Sequence, residues 1–164
     1  MHYLRDFDDE TMEDISIEAE HYKQLISLCF RYCTHFSLLF RDKSVEDNLM
    51  LPTPLYRQNA GKYSNVEYLC FYACSIESQN FLLTKANLFD WLDTTTIRSP
   101  EDLIFYREDG SVFFWSETHE GICALFERNQ EDVAMLVSQR GWVYYDPQEE
   151  GNHVMIPKSL YMTE

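Results

Sequence analysis

The sequence predicts a single α+β domain, mainly an antiparallel sheet with a long N-terminal amphipathic helix and a second helix near residues 130–140. Three observations carry that reading. An apolar stripe at helical spacing spans residues 15–33, short β-rich segments separated by turn residues fill most of the chain beyond it, and Asp109-Gly110 stands between two aromatic runs as a hairpin turn. The chain has 164 residues, 45% of them hydrophobic and 15% aromatic, enough apolar material for the one core that a chain of this size builds. Residues 1–164 are read as one domain, with an acidic N-terminal arm over 1–14 and a long connection over 42–65.

In the first helix Ile15, Ala19, Tyr22, Ile26, Cys29 and Cys33 share one side, while Lys23, Ser27 and Arg31 fall on the other. Thr11 and Asp14 have the spacing of a capping box, and carboxylates suit the positive end of the helix dipole. Residues 35–41 read as a strand. The polar stretch after it, with Pro52, Pro54 and Gly61, reads as a connection, and residues 66–75 as a central strand. Residues 79–84 are expected to pair with that strand as a hairpin, and residues 86–92 to form a short helical turn. The two-residue type I′ turn at Asp109-Gly110 predicts Tyr106 opposite Phe113 and Phe105 opposite Phe114, with large aromatics on both faces. Either the fold covers both faces, or one of them binds something. Residues 122–126 make another strand. Asn129 is placed to cap a helix over 130–139 that Gly141 ends, and residues 142–145 form a last strand before an acidic tail segment at 146–151.

The charge is strongly one-sided: 13 Lys and Arg against 28 Asp and Glu, a formal net charge of −15. Residues 1–20 alone hold eight carboxylates and one arginine. Such a surface repels phosphate, which disfavours nucleic acid and anionic membranes as partners, and attracts a basic protein. The acidic start lacks the basic and apolar segments of a signal peptide, and no apolar run approaches the length of a membrane span. A cytoplasmic protein is expected, with its five cysteines reduced.

No motif carries convincing chemistry. Cys29-x3-Cys33-x-His35 invites a zinc reading, yet both thiols continue the apolar stripe of the helix, where free cysteine packs as a small core residue. Cys70 and Cys74 share one strand face but stand about 13 Å apart, too far to chelate one ion. Only a tertiary meeting of these four thiols would make a metal site. His119, Glu120 and Cys123 supply a base, a carboxylate and a thiol, so a Cys-His hydrolase is an alternative; the plainer reading is a polar turn in which Gly121 takes unusual backbone angles. The five glycines are scattered singly, which leaves no phosphate-cradling loop. Neither a catalytic residue, a cofactor nor a metal is expected.

The segment running from Glu101 through Asp109-Gly110 to His119-Glu120-Gly121 resembles small bacterial immunity proteins encoded beside polymorphic or contact-dependent toxins. The resemblance covers about an eighth of the chain. It implies non-catalytic binding to a cognate toxin domain, often a cationic nuclease, inside the producing cell. The charge points the same way, because a nuclease site must accept phosphates and carboxylates imitate them. The binding residues expected on these grounds are Asp9, Glu10, Glu13, Asp14, Glu117 and Glu120, with Tyr106 and Trp115 as exposed aromatic anchors. A nucleic-acid mimic that blocks a DNA- or RNA-binding protein is the other binding alternative.

Overall fold

The computed structural model describes residues 1–5, 7–8, 13–14, 19–41, 51–60, 67–84, 100–118, 120–126, 131–138 and 142–144, with backbone alone at 3, 5, 7, 8, 13, 14 and 19. In chain order the elements are β1 (His2–Arg5), β2 (Phe7–Asp8), β3 (Glu13–Asp14), α1 (Ala19–Tyr32), β4 (His35–Phe40), β5 (Tyr56–Asn59), β6 (Tyr68–Ala73) and α2 (Ile76–Leu82). They continue with β7 (Glu101–Tyr106), β8 (Val112–Glu117), β9 (Ile122–Leu125), α3 (Glu131–Val137) and β10 (Trp142–Tyr144). Eight strands form one sheet in the order β10-β1-β9-β8-β7-β4-β6-β5, with every pairing antiparallel, and β2 and β3 pair separately. The α+β class read from the sequence is the class observed.

Of the stripe predicted for α1, Tyr22, Ile26, Cys29 and the adjoining Cys33 are buried, as is Leu25, while Lys23, Ser27 and Arg31 are exposed; Ile15 lies outside the described residues. The helix packs on the sheet face formed by Leu4, Phe36, Leu38, Phe40, Cys70, Tyr72, Leu103, Phe105, Phe114, Cys123 and Leu125. Each such large side chain contributes roughly 1.5–3 kcal/mol on leaving water. Two polar links hold the helix layer together. The Tyr22 hydroxyl donates to the Leu82 carbonyl at the end of α2 (2.8 Å). Asp132 in α3 accepts from both Arg31 and the Tyr32 hydroxyl of α1. Desolvation raises the Asp132 carboxyl, but the hydrogen bonds from Tyr32 and Arg31 outweigh it and hold it below the ordinary aspartate range.

The second sheet face is uneven. Around β8 and β9 it is closed, with Met1, Trp115, Ile122 and Ala124 buried together. Toward β5 it opens: Tyr56 is 59% and Leu55 68% exposed.

Several expectations are corrected. Residues 2–5 are not part of a free arm, because β1 lies inside the sheet between β9 and β10 with Leu4 fully buried. Asp14 lies in β3, so it does not sit in a capping box at the start of α1. The connection over 42–65 contains β5, an edge strand paired to β6. The hairpin strand expected at 79–84 is instead the helix α2. Ser75 and Ser78 close a reciprocal capping box, the Ser78 N–H donating to Ser75 Oγ (3.2 Å) and the Ser75 N–H to Ser78 Oγ (2.9 Å). The readings at 86–92, Thr11, Asn129, Gly141 and 146–151 lie outside the described residues.

The 107–111 turn differs from the expected type I′ form. Gly110 N–H donates to the Arg107 carbonyl (3.0 Å) and Arg107 N–H to the Ser111 carbonyl (2.8 Å). Only Gly110 has positive φ there (82°). The loop is therefore three residues long, a type I turn followed by a left-handed glycine. Asp109 accepts from the Ser111 side chain (2.6 Å) and backbone N–H (2.9 Å), which hold its carboxyl below the usual range. Tyr106 consequently pairs with Val112, and a register shift restores the expected Phe105–Phe114 pair. That bulge lets the consecutive Phe113 and Phe114 both reach the core, where Tyr32 stacks on Phe113 (5.5 Å) and Arg107 lies over it (4.9 Å).

Two substitutions test these features. A Cβ at Gly110 meets nothing within 4 Å, so Gly110→Ala should cost only the left-handed backbone penalty, about 1–2 kcal/mol in urea unfolding. The Asp132 link stabilises the fold fully above the unfolded aspartate value of about 3.9 and is lost as pH falls through its lower folded value. Asp132→Asn should accordingly flatten acid unfolding curves in that window.

Candidate functional site

Strand direction sorts the charged residues between two ends of the sheet. At one end the 107–111 turn joins β7 to β8; at the other, residues 118–121 join β8 to β9. The second end also receives Glu101 at the start of β7, Glu67 just before β6, Arg41 just after β4, and Arg5, which pairs with Ile122. Since β2 begins two residues after Arg5, chain connectivity keeps Phe7 within about 7 Å of that strand end. Tyr32 stacks on Phe113 near the hairpin turn, whereas His21 bonds Trp142, which pairs with Leu4. Helix α1 therefore runs along the sheet, and exposed Glu20 in its first turn returns to this same end.

The outcome is an acidic end, with further exposed carboxylates, Glu77, Glu108, Asp109 and Glu131, toward the other end. Glu20 and Glu120 are exposed at the acidic end, and Glu67, Asp102 and Glu117 are half-buried. The backbone of Asp8, Glu13 and Asp14 starts from the same strand end. Of the cations at this end, Arg41 is already engaged, by Glu67 (3.7 Å) and by buried Glu101 (3.1 Å).

This end has a built framework. Gly121 takes φ 58° and its N–H donates to the Thr118 carbonyl (3.2 Å), as the polar-turn reading of 118–121 requires. Opposite it, Asp102 adopts φ 53°, the left-handed region that a non-glycine residue enters at a cost. Reciprocal bonds offset that cost: Thr118 N–H donates to the Asp102 carboxylate (2.9 Å), and Asp102 N–H donates to Thr118 Oγ1 (3.0 Å). The β4–β7 register shifts at this point, so Asp102 is the bulged residue that turns the strand away. Sequence reading did not single out Asp102; a short polar residue opening a strand is a weak signal by itself.

The predicted site residues divide. Glu117 and Glu120 lie at the acidic end, and Glu13 and Asp14 pair with β2 beside it. Asp9 and Glu10 lie outside the described residues. Tyr106 is at the opposite end of β7, about 17 Å along the strand from the acidic end. Its hydroxyl is within hydrogen-bonding distance of Ser37 Oγ (3.1 Å), and its ring stacks with His35 (5.3 Å) and meets Phe71 (5.8 Å). Trp115 is 6% exposed, packed with Met1, Ile122 and Ala124, so its role as an exposed anchor is corrected to a packing one. Tyr56, inside the supposed connection and read beside Arg57 as a packing residue, is instead an exposed aromatic on this face, against Phe71 (5.8 Å).

The cysteines do converge. Cys29 lies near enough to Cys33, Cys74 and Cys123 for their charges to interact. Among the described residues, however, no group of three or more His, Cys, Asp or Glu side chains could hold a metal ion. Burial raises the Cys29 thiol strongly, and it pushes Cys33 and Cys74 up to about 12, with each neighbouring thiol adding to the effect on Cys29 and Cys33. These thiols stay protonated at neutral pH. Cys123, the nucleophile of the hydrolase alternative, is fully buried, and its partner His119 lies outside the described residues.

In the folded protein the thiols should resist iodoacetamide near neutral pH and react only on unfolding, which mass spectrometry reads directly. Asp102→Ala keeps the backbone strain and removes the bond to Thr118, so it should cost about 1–2 kcal/mol, with Asp102→Asn nearer neutral in the same unfolding assay.

No helix among the described residues is long and apolar enough to cross a membrane. No protein-family model matches the chain, and no curated protein or solved structure does either.

Proposed function

We propose that this domain is a non-catalytic, cytoplasmic binding protein that neutralises a basic protein, in the manner of an immunity protein masking the cationic surface of a cognate toxin domain. The observation that supports the reading best is the collection of carboxylates at one sheet end. Glu20 comes there from α1, Glu117 and Glu120 from the end of β8 and the turn after it, and β2 and β3 follow the adjoining strand β1 in the chain. Within a net charge of −15, that end has one of its cations, Arg41, already held by Glu67 and Glu101. Arg or Lys contacts to carboxylates are worth about 0–1 kcal/mol when exposed and several when an interface desolvates them. The partner must therefore cover this end, with aromatic contacts such as Tyr56 adding area only if it reaches along the sheet. Full burial of Cys123, the thiol of the hydrolase alternative, favours binding over nucleophilic catalysis.

The test is affinity capture from the native cytoplasm, comparing the wild-type chain with a variant carrying amides at Asp9, Glu10, Glu13, Asp14, Glu117 and Glu120. The wild type should recover a protein of positive net charge that the variant loses. Its association rate should fall about tenfold or more as salt rises from low to high ionic strength. Equal recovery by both chains contradicts the proposal. A captured protein that DNA or RNA displaces would favour the nucleic-acid-mimic form of the same reading.

A further inference from the structure

Helix α1 and the edge strand β10 are joined by a hydrogen bond whose chemistry permits a single protonation state. The Trp142 indole Nε1–H lies 2.9 Å from His21 Nε2, with the rings 6.1 Å apart, and His21 is buried. An indole N–H can only donate, so His21 Nε2 must offer its lone pair and the proton of the neutral ring sits on Nδ1. A second proton has only Nε2 to occupy. Adding it replaces an acceptor by a donor facing a donor, and puts a positive charge beside the positive end of the α1 dipole.

Strand β10 has little else to hold it. Among the described residues it is three residues long, pairs with β1 and no other strand, and exposes Val143 and Tyr144, while Trp142 packs against the core. Among the described residues, the charged and titratable groups of the surrounding elements are mostly exposed or engaged elsewhere. On α1, Glu20 and Lys23 are exposed. On β10 and β1 there are Tyr144, whose ring meets His2 edge-on (5.4 Å), and Arg5 at the strand end. Glu117 of β8 is at the same end but pairs with Ile122, which packs on the other sheet face. On α3, Asp132 is committed to Arg31 and Tyr32 beside Glu131 at the far end of α1, and on α2 Glu77 stands in the first turn, remote from Leu82, which meets Tyr22.

We propose that the His21–Trp142 bond is an acid-sensitive latch: protonation of His21 at Nε2 releases Trp142 and frees β10 from the sheet edge, exposing β1 as a pairing edge. Amide hydrogen exchange on the full chain tests this between about pH 7.5 and 5, corrected for intrinsic rates and read against β9. Protection of Val143 and Tyr144 should fall about tenfold over that range while β9 keeps its own. In His21→Gln, whose amide oxygen accepts the same bond and does not titrate, the drop should vanish. Trp142→Phe should show low β10 protection at both pH values. Should the His21 variant fail to fold, imidazole nitrogen spectra of the wild type decide the matter: the Nδ1–H tautomer at neutral pH supports the latch, and the Nε2–H tautomer overturns it. The proposal also fails if β10 protection in the wild type does not change as His21 titrates.

Discussion

The apolar stripe of α1, from Tyr22 through Leu25, Ile26 and Cys29, can leave water only by lying against a surface of matching extent. One face of an eight-stranded antiparallel sheet supplies it. That demand sets the side of every inner strand, because alternation along a strand allows only one register to turn Phe36, Leu38 and Phe40, or Cys123 and Leu125, toward the helix. It also sets the direction of α1, since Tyr32 must reach Phe113 while His21 reaches Trp142. Once the helix runs along the sheet, its acidic first turn and the N-terminal strands arrive at the same end. The charge distribution is thus a consequence of core packing.

The sheet departs from regularity where its two ends are built. At the hairpin end a left-handed glycine and a bulge let Phe113 and Phe114 both enter the core, and Arg107 braces the turn by donating to the carbonyls of Val112 (2.8 Å) and Phe126 (3.3 Å). At the acidic end the device is Asp102, whose left-handed backbone is held by exchange of hydrogen bonds with Thr118. Strain of this kind persists only where the surroundings over-determine it, and here it fixes the start of β7 beside the turn that carries Glu120.

Periodic features of the chain were legible in the sequence because burial writes them there. The α1 stripe, β4, β6, the β7–β8 hairpin, β9 and α3 all show the apolar spacing that their packing requires. Strands β1 and β5 were missed because pairing partners create them: His2–Arg5 is too short to show a pattern, and Tyr56–Asn59 is an exposed edge strand without an apolar face. Helix α2 was misread as a strand because its buried apolar residues, Phe81 and Leu82, sit at one end, and the Ser75–Ser78 cap was the better signal. Asp109-Gly110 announced a turn, but Arg107 bonding to Ser111 chose its length. For the candidate site, the types of the acids were legible and their meeting was not, since only topology unites residues 13–20 with 117–120. The fate of the aromatics was equally hidden: Trp115 packs inside, and Tyr56 is exposed.

If the carboxylates that α1, the end of β8 and the turn after it bring to one sheet end meet a cationic surface, as proposed, binding should leave its trace at that end. The most direct measurement is a hydrogen-exchange footprint of the domain alone and in complex with the basic protein that the proposal expects it to capture. The account predicts protection in residues 7–14 and 117–122, with β5 added only if the partner reaches along the sheet. Protection confined to α2, α3 and the 107–111 turn, with the acidic end unchanged, would contradict it.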